Sequence, residues 1–308
     1  MCALVTLLAF AGCASARKQT TPPPTNEVAG PPESLKNSAT PGEVYGPFPT
    51  NTTPDGPAVE PAANPDRVVL VFGRGLTRGY AYVGVLRALH DLKVPVGAVY
   101  ATEVGALAAA LYYTQPNPNR IDWALLRFTE KNLGPTTGKF SLSLKSPEEE
   151  LDARLKEVFG ERRVETTADR LRIELQDAKS GEPVEARSGE LWRAIRGALA
   201  GGNGFGPADL EGREVKVSAR RIGDEFRVAQ QAERYPIIVV SVGDAPSESL
   251  RKLVADGKAT LIHVPLAGID DLDLKQRNRA VFAGKSAVNK AAPEILALIG
   301  KAPERKAE

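Results

Sequence analysis

Val68-Val69-Leu70-Val71-Phe72-Gly73-Arg74-Gly75-Leu76-Thr77-Arg78-Gly79 changes character halfway along. Five successive apolar residues read as a strand buried on both faces, because a strand with one wet face would alternate. The glycine-rich half then runs into a helical pattern, with Val83, Leu86 and Leu89 on one face and Gly84 placed for close packing. Residues 94–100 form a second strand, and Ala101-Thr102-Glu103-Val104-Gly105 turns sharply into an Ala-rich helix from Ala106 to Tyr113. Strand, glycine loop, helix, strand, tight turn and helix make a right-handed parallel β-α-β unit. The expected fold class is therefore α/β with a mainly parallel central sheet.

Further along, Ile121 to Leu133 and Pro147 to Phe159 read as helices. Ser146 stands as N-cap of the second, with three glutamates in its first turn. Leu171 to Leu175 and Val184 to Arg187 read as strands around a Lys179-Ser180-Gly181 turn, and Leu191 to Ala200 as a helix stopped by Gly201-Gly202. Ile237 to Val242 and Thr260 to Val264 are buried-strand candidates. A last helical pattern runs from Gln276 to Ile299. No internal repeat is visible.

Composition excludes several functions. The 308 residues carry 40 Lys and Arg against 38 Asp and Glu, too even a balance for a nucleic-acid surface. The 2 histidines cannot build a His-rich metal site, and they leave a Ser-His-Asp triad little choice of base. Neither cysteine lies beyond Cys13, so the folded part has no disulfide framework and no thiolate zinc site. No metal, cofactor or nucleic-acid partner is expected.

The first residues read as an address. Ala3 to Ala11, ALVTLLAFA, is too short to span a bilayer core, which needs roughly 20 apolar residues. It reads as the apolar part of a signal peptide over residues 1–12, although Met1-Cys2 carries no Lys or Arg. Phe10-Ala11-Gly12-Cys13 resembles the bacterial lipobox, which implies lipidation at Cys13 and a membrane partner for the acyl chains. The stretch from Ala14 to Asp66 holds 12 of the 24 prolines and few large apolar residues. It cannot bury enough surface to offset its ordering entropy and is expected to be a tether. The expected organisation is thus a leader at 1–12, lipidated cysteine and tether at 13–66, a folded domain at 67–300 and a tail at 301–308. Ala14, where an inner-membrane lipoprotein of many Gram-negative bacteria carries aspartate, tilts the expected address toward the outer membrane, facing the periplasm.

A glycine loop between strand and helix aims backbone N–H groups at an anion. Dinucleotide phosphate, nucleotide triphosphate and the oxyanion of acyl transfer all use such a loop. This one lacks the Gly-Lys-Ser/Thr ending of a P-loop, and Arg78 stands where the third glycine of the dinucleotide pattern belongs. The strand-turn-helix frame around Ala101, Glu103 and Gly105 is the one in which hydrolases carry Gly-x-Ser-x-Gly.

Together the loop (VVLVFGRGLTRGYAYVGVLRAL) and the elbow (VPVGAVYATEVGALAAALYY) resemble the patatin-like phospholipase family. The likeness continues through SGEPVEARSGELWRAIRGALAGGNGFGPADLEGREVKV and PIIVVSVG to the final helix. It implies a three-layer α/β/α sandwich, an oxyanion loop at Gly73 to Gly79 and acyl lipids as the substrate class. Transferred residue by residue, however, the family's nucleophilic serine falls on Glu103 and its catalytic aspartate on Ser218, while Ala101 replaces a glycine. In the loop Gly75 is kept, with Arg74 and Leu76 as its neighbours, so half the oxyanion cradle is expected to persist.

Glu103 is no substitute for serine, since its charge would repel a developing oxyanion. At a helix N-terminus a glutamate is favoured by the dipole, and Arg74 or Arg78 is an expected ion-pair partner. His90 reads as solvent-facing and His263 as a hydrogen-bonded structural residue. Asp209 and Asp224 flank the position of the lost aspartate. The sequence therefore predicts a family member without hydrolytic activity, binding lipid or an envelope partner. The rivals are a hydrolase with a displaced nucleophile such as Ser218, and a scaffolding lipoprotein.

Overall fold

A computed structural model describes residues 66–301 except 116, 118–119, 129–132, 134–145, 168–169, 202–203, 220–221, 244 and 271–272. The segments expected to be a leader and a tether lie outside the described residues except for Asp66, as do Cys13 and the expected tail beyond Lys301.

The apolar run forms β1 (Val68–Phe72), with every residue fully buried. The loop passes through a 3₁₀ turn at Leu76–Tyr80 into α1 (Ala81–Asp91), followed by β2 (Val96–Ala101) and α2 (Glu103–Thr114). Next come α3 (Ile121–Leu126), α4 (Pro147–Phe159), β3 (Leu171–Asp177), β4 (Pro183–Ala186) and α5 (Leu191–Leu199). β5 (Ala208–Leu210), β6 (Arg213–Val217), α6 (Ile222–Ala232), β7 (Ile237–Gly243), α7 (Glu248–Ala255), β8 (Thr260–Pro265) and α8 (Arg277–Leu298) complete the domain. The expected helix from Ile121 to Leu133 is corrected: α3 stops at Leu126, where Arg127 and Phe128 close it with single-turn bonds to Ala124 and Leu125. At α4 the capping box is complete, Ser146 and Glu149 each bonding the other's backbone N–H.

The sheet runs β5-β6-β3-β2-β1-β7-β8, with β4 paired to β3. The pairs among β3, β2, β1, β7 and β8 are parallel, and β4, β5 and β6 join antiparallel. Alternate residues of β1 serve two cores. Val68, Leu70 and Phe72 pack with α1, α2, α4, α5 and α8, whereas Val69 and Val71 face Phe226 and Ala229 of α6 and Leu250 of α7. The result is the α/β/α sandwich with a mainly parallel centre.

β3 explains where the site forms. Ile173 pairs with both Ala101 and Ala186, and Leu175 pairs with both Val184 and Val217. Hence β4 takes one edge of β3, while β2 and β6 share the other edge and end facing each other across Glu174. The elbow follows one of those ends and Ser218 the other.

Helices α1 and α8 touch through glycines. A Cβ on Gly84 would lie 1.9 Å from the Val281 carbonyl oxygen, and one on Gly284 would lie 2.0 Å from that of Ala81. Only a residue without a side chain fits on either helix.

Candidate active site

The loop after β1 and the elbow after β2 lie at the same sheet edge because β1 and β2 are parallel neighbours, Phe72 opposite Ala101. This is the edge at which open α/β sheets bind ligands. Gly105 lets them meet: a Cβ there would lie 2.9 Å from Phe72 Cβ and 3.1 Å from the Gly73 carbonyl. Tyr82 of α1 stacks on Phe72 at 4.4 Å and donates to the Arg74 carbonyl at 3.2 Å, which pins the loop from behind. Burial, reinforced by the charges of Glu225 and Glu103, pushes the Tyr82 phenol well above its ordinary range, so it remains a neutral donor.

Glu103 opens α2 in a left-handed conformation, φ 51°, after an extended Thr102. This is the sharp strand-to-helix bend of a nucleophile elbow, held by a non-glycine residue. The residue is 1% exposed. Its Oε2 accepts the backbone N–H of Gly75 at 2.6 Å and that of Leu76 at 2.8 Å. Oε1 lies 3.6 Å from Arg74 Nε, whose side chain remains half-exposed. Arg78 instead donates to the Ile269 carbonyl at 3.1 Å. Of the two arginines named from sequence, Arg74 is the one beside the carboxylate.

The cradle is thus fuller than the sequence implied. Leu76 adopts φ 45° and presents its N–H next to that of Gly75. A backbone donor does not depend on the side chain behind it, so a leucine at position 76 presents its N–H as a glycine would. Both donors end on a carboxylate, at the distances an oxyanion hole keeps to a developing oxyanion. Gly73 is buried at the strand end, and Gly79 closes the 3₁₀ turn by donating to the Gly75 carbonyl at 3.1 Å.

The second family position lies behind the elbow. Ser218 is 1% exposed and donates through Oγ to Glu174 Oε1 at 2.6 Å. Thr102 Oγ1 donates to the Glu174 backbone carbonyl at 3.2 Å. Glu174, not singled out from the sequence, therefore joins the two strand ends. Its signal was a carboxylate inside the apolar run Leu171-Arg172-Ile173-Glu174-Leu175. Glu174, Glu185 and Glu225 also line, with Arg172 and Tyr100, a small cavity of about 10 Å³, room for roughly one water.

The remaining candidates disperse. His90 is exposed on α1. His263 is half-buried on β8 opposite Ser241, and its Nδ1 is buried without a hydrogen-bond partner among the described residues. Asp209 is exposed on β5 with Arg193 at 3.7 Å, and Asp224 lines a cavity of about 880 Å³ beside Arg74. That cavity mixes charged and apolar walls: Arg74, Arg227, Lys252 and Lys258 are set against Asp224, Glu225 and Asp256, with Val242, Pro246, Leu250 and Leu253 between them. Among the described residues no group of three or more His, Cys, Asp or Glu is arranged to hold a metal ion.

Comparison with known proteins agrees with this geometry. The family model for patatin-like phospholipase matches residues 70–230, from β1 into α6. A patatin-like phospholipase domain-containing protein of Caenorhabditis elegans is 30% identical over 146 residues, 42% of this chain and 10% of that protein. Mouse patatin-like phospholipase domain-containing protein 7 is 27% identical over 143 residues, 43% of this chain and 10% of that one. Lysophospholipase nte1 of Aspergillus fumigatus is 26% identical over 139 residues, 43% and 9% respectively. The chain thus matches about a tenth of the length of these relatives. Among solved structures, ExoU of Pseudomonas aeruginosa in complex with SpcU is similar at a TM-score of 0.40 and 14% identity, covering 76% of this chain and 52% of that one. VipD of Legionella pneumophila follows at 0.38 and 11%, covering 77% and 67%. With more than half its length matched by the family model, and with that match spanning the glycine loop, the elbow and β6, the chain belongs to the patatin-like phospholipase family.

Proposed function

We propose that this relative of lipid acyl hydrolases is a lipid-anchored protein of the bacterial envelope whose cleft binds and does not hydrolyse. One observation carries the reading: Glu103 Oε2 takes both cradle N–H groups, at 2.6 and 2.8 Å. Acyl transfer needs a nucleophile at the elbow and donors open to the oxyanion. Here the elbow residue is itself the anion that the donors hold. A carboxylate attacking an ester would give a mixed anhydride, and no neighbouring group favours that step. The 880 Å³ cavity beside Arg74, lined by charged side chains and by apolar ones such as Val242, Leu250 and Leu253, supports binding of an amphipathic ligand such as a lipid, or of a segment of an envelope partner. Anchoring through Cys13 and an outer-membrane address rest on the lipobox resemblance.

The second reading, a hydrolase with a displaced nucleophile, draws on Ser218 and its 2.6 Å bond to Glu174, a carboxylate placed to take the hydroxyl proton. Against it, Ser218 is 1% exposed. An ester-hydrolysis assay on the purified full chain, with short and long acyl substrates, separates the two. The expected result is no turnover above buffer, unchanged by Ser218→Ala. Wild-type turnover abolished by Ser218→Ala overturns the proposal. The double variant Glu103→Ser with Ser218→Asp then asks whether the emptied cradle supports chemistry. Mass spectrometry of the mature N-terminus tests the anchor, and an unmodified Cys13 in a mature chain sinks it.

A further inference from the structure

On the side of the sandwich that carries α1 and α8, a groove of about 340 Å³ runs between α1, α3 and the first turns of α8. Arg87, Arg277 and Lys285 line it, and among the described residues no acidic one does. Arg277 is steadied by donating to the Phe128 carbonyl at 2.9 Å, and Lys285 by Asp91 at 2.9 Å. Beside these cations Phe282 stands 74% exposed on α8. A phenylalanine so exposed buries almost nothing within the domain, so packing does not explain it. Along its 22 residues α8 carries four cationic side chains and a single acid, Glu294. A basic helix with an aromatic side chain on its wet face suits a membrane surface: the ring enters the interfacial layer and the cations meet lipid phosphates.

We infer that this face docks on an anionic lipid surface, with Phe282 as the inserting residue and Arg277 and Lys285 facing the phosphates. The inference rests on α8 and its groove, not on the cradle, so the hydrolysis assay does not bear on it.

The test uses the full chain with Cys13→Ala, which removes any acyl anchor, and cosedimentation with phosphatidylcholine vesicles containing or lacking phosphatidylglycerol. The expected result is binding to the anionic vesicles only, weakened by added salt. Phe282→Ser should weaken it about tenfold. Asn278→Glu, which puts a negative charge in the groove, should weaken it about fivefold. Thermal unfolding verifies that both variants fold. Equal binding to the two vesicle types, no binding at all, or full binding by both variants overturns the inference. So does a Phe282-dependent self-association in the absence of vesicle binding, which would make the face a site for a second copy.

Discussion

The α1–α8 crossing and the cleft both press two backbone segments together, and they do so by opposite means. At the crossing, Gly84 and Gly284 remove the side chains, leaving each Cα against a carbonyl of the facing helix. In the cleft a side chain is inserted instead: Glu103 spans from the elbow to the N–H groups of Gly75 and Leu76. The first contact is van der Waals and tolerates no added atom. The second is a charge-assisted hydrogen-bond pair, which tolerates a change of shape but not the loss of its acceptor. The difference separates what the fold requires from what the cleft has become.

The largest effect should come from the crossing. Gly84→Ala places a Cβ 1.9 Å from a backbone oxygen, which cannot rotate away as a side-chain tip could. The helices must separate, at a cost of about 3 kcal/mol, read by urea denaturation. Gly284→Ala should cost a similar amount. The double variant should fall short of the sum, because one separation relieves both clashes. Strict additivity would mean the two glycines do not share one contact.

Next in size is the cleft. Glu103→Ala leaves two nearly buried N–H donors without their acceptor and should cost about 2 kcal/mol, while Glu103→Gln, which keeps one acceptor oxygen, should cost about half that. Acetate sharpens the test. If the cradle keeps its geometry when emptied, acetate in the buffer should raise the Tm of Glu103→Ala and leave that of the parent unchanged, by mass action on a vacated anion site. An acetate response equal in both proteins would show that the N–H pair collapses without its carboxylate.

How much of this was legible from residues follows the same division. β1, β2, β7 and β8 could be read directly because strands covered on both faces are unbroken apolar runs. Gly84 announced the helix contact by being a glycine on an apolar face. β6 was missed although it carries a period-two signal, with Val215 and Val217 inward and Glu214 and Lys216 outward, because its charged residues made it look like loop. α6 was missed for a related reason: Phe226 and Ala229 are its buried apolar residues among many polar ones. The substitution at the elbow was visible, but its consequence was not. A sequence shows which side chain stands at the bend, whereas the aim of two backbone N–H groups depends on dihedral angles at Gly75 and Leu76. Glu174 lay further out of reach, since its role depends on β2 and β6 sharing one edge of β3, a pairing set by residues far apart in the chain.

Leu76 is where the two means meet, and its replacement by glycine is expected to have the smallest effect. It holds φ 45°, a region that costs a residue with a Cβ roughly 1–2 kcal/mol, so the loop maintains its N–H geometry under strain. Leu76→Gly removes that strain but gives up a half-buried side chain, worth about 1 kcal/mol, and adds freedom to the unfolded chain, worth about 0.5 kcal/mol. These terms nearly cancel, and the variant should unfold within about 1 kcal/mol of the parent. Leu76→Val gains nothing in return, because a β-branched side chain is least tolerated at positive φ; it should be about 2 kcal/mol less stable than the parent. Equal stabilities for the glycine and valine variants would show that the loop is not held in the left-handed conformation. The cradle would then owe its aim to Glu103 pulling on a loop free to move, and the carboxylate would be shaping the site as well as filling it.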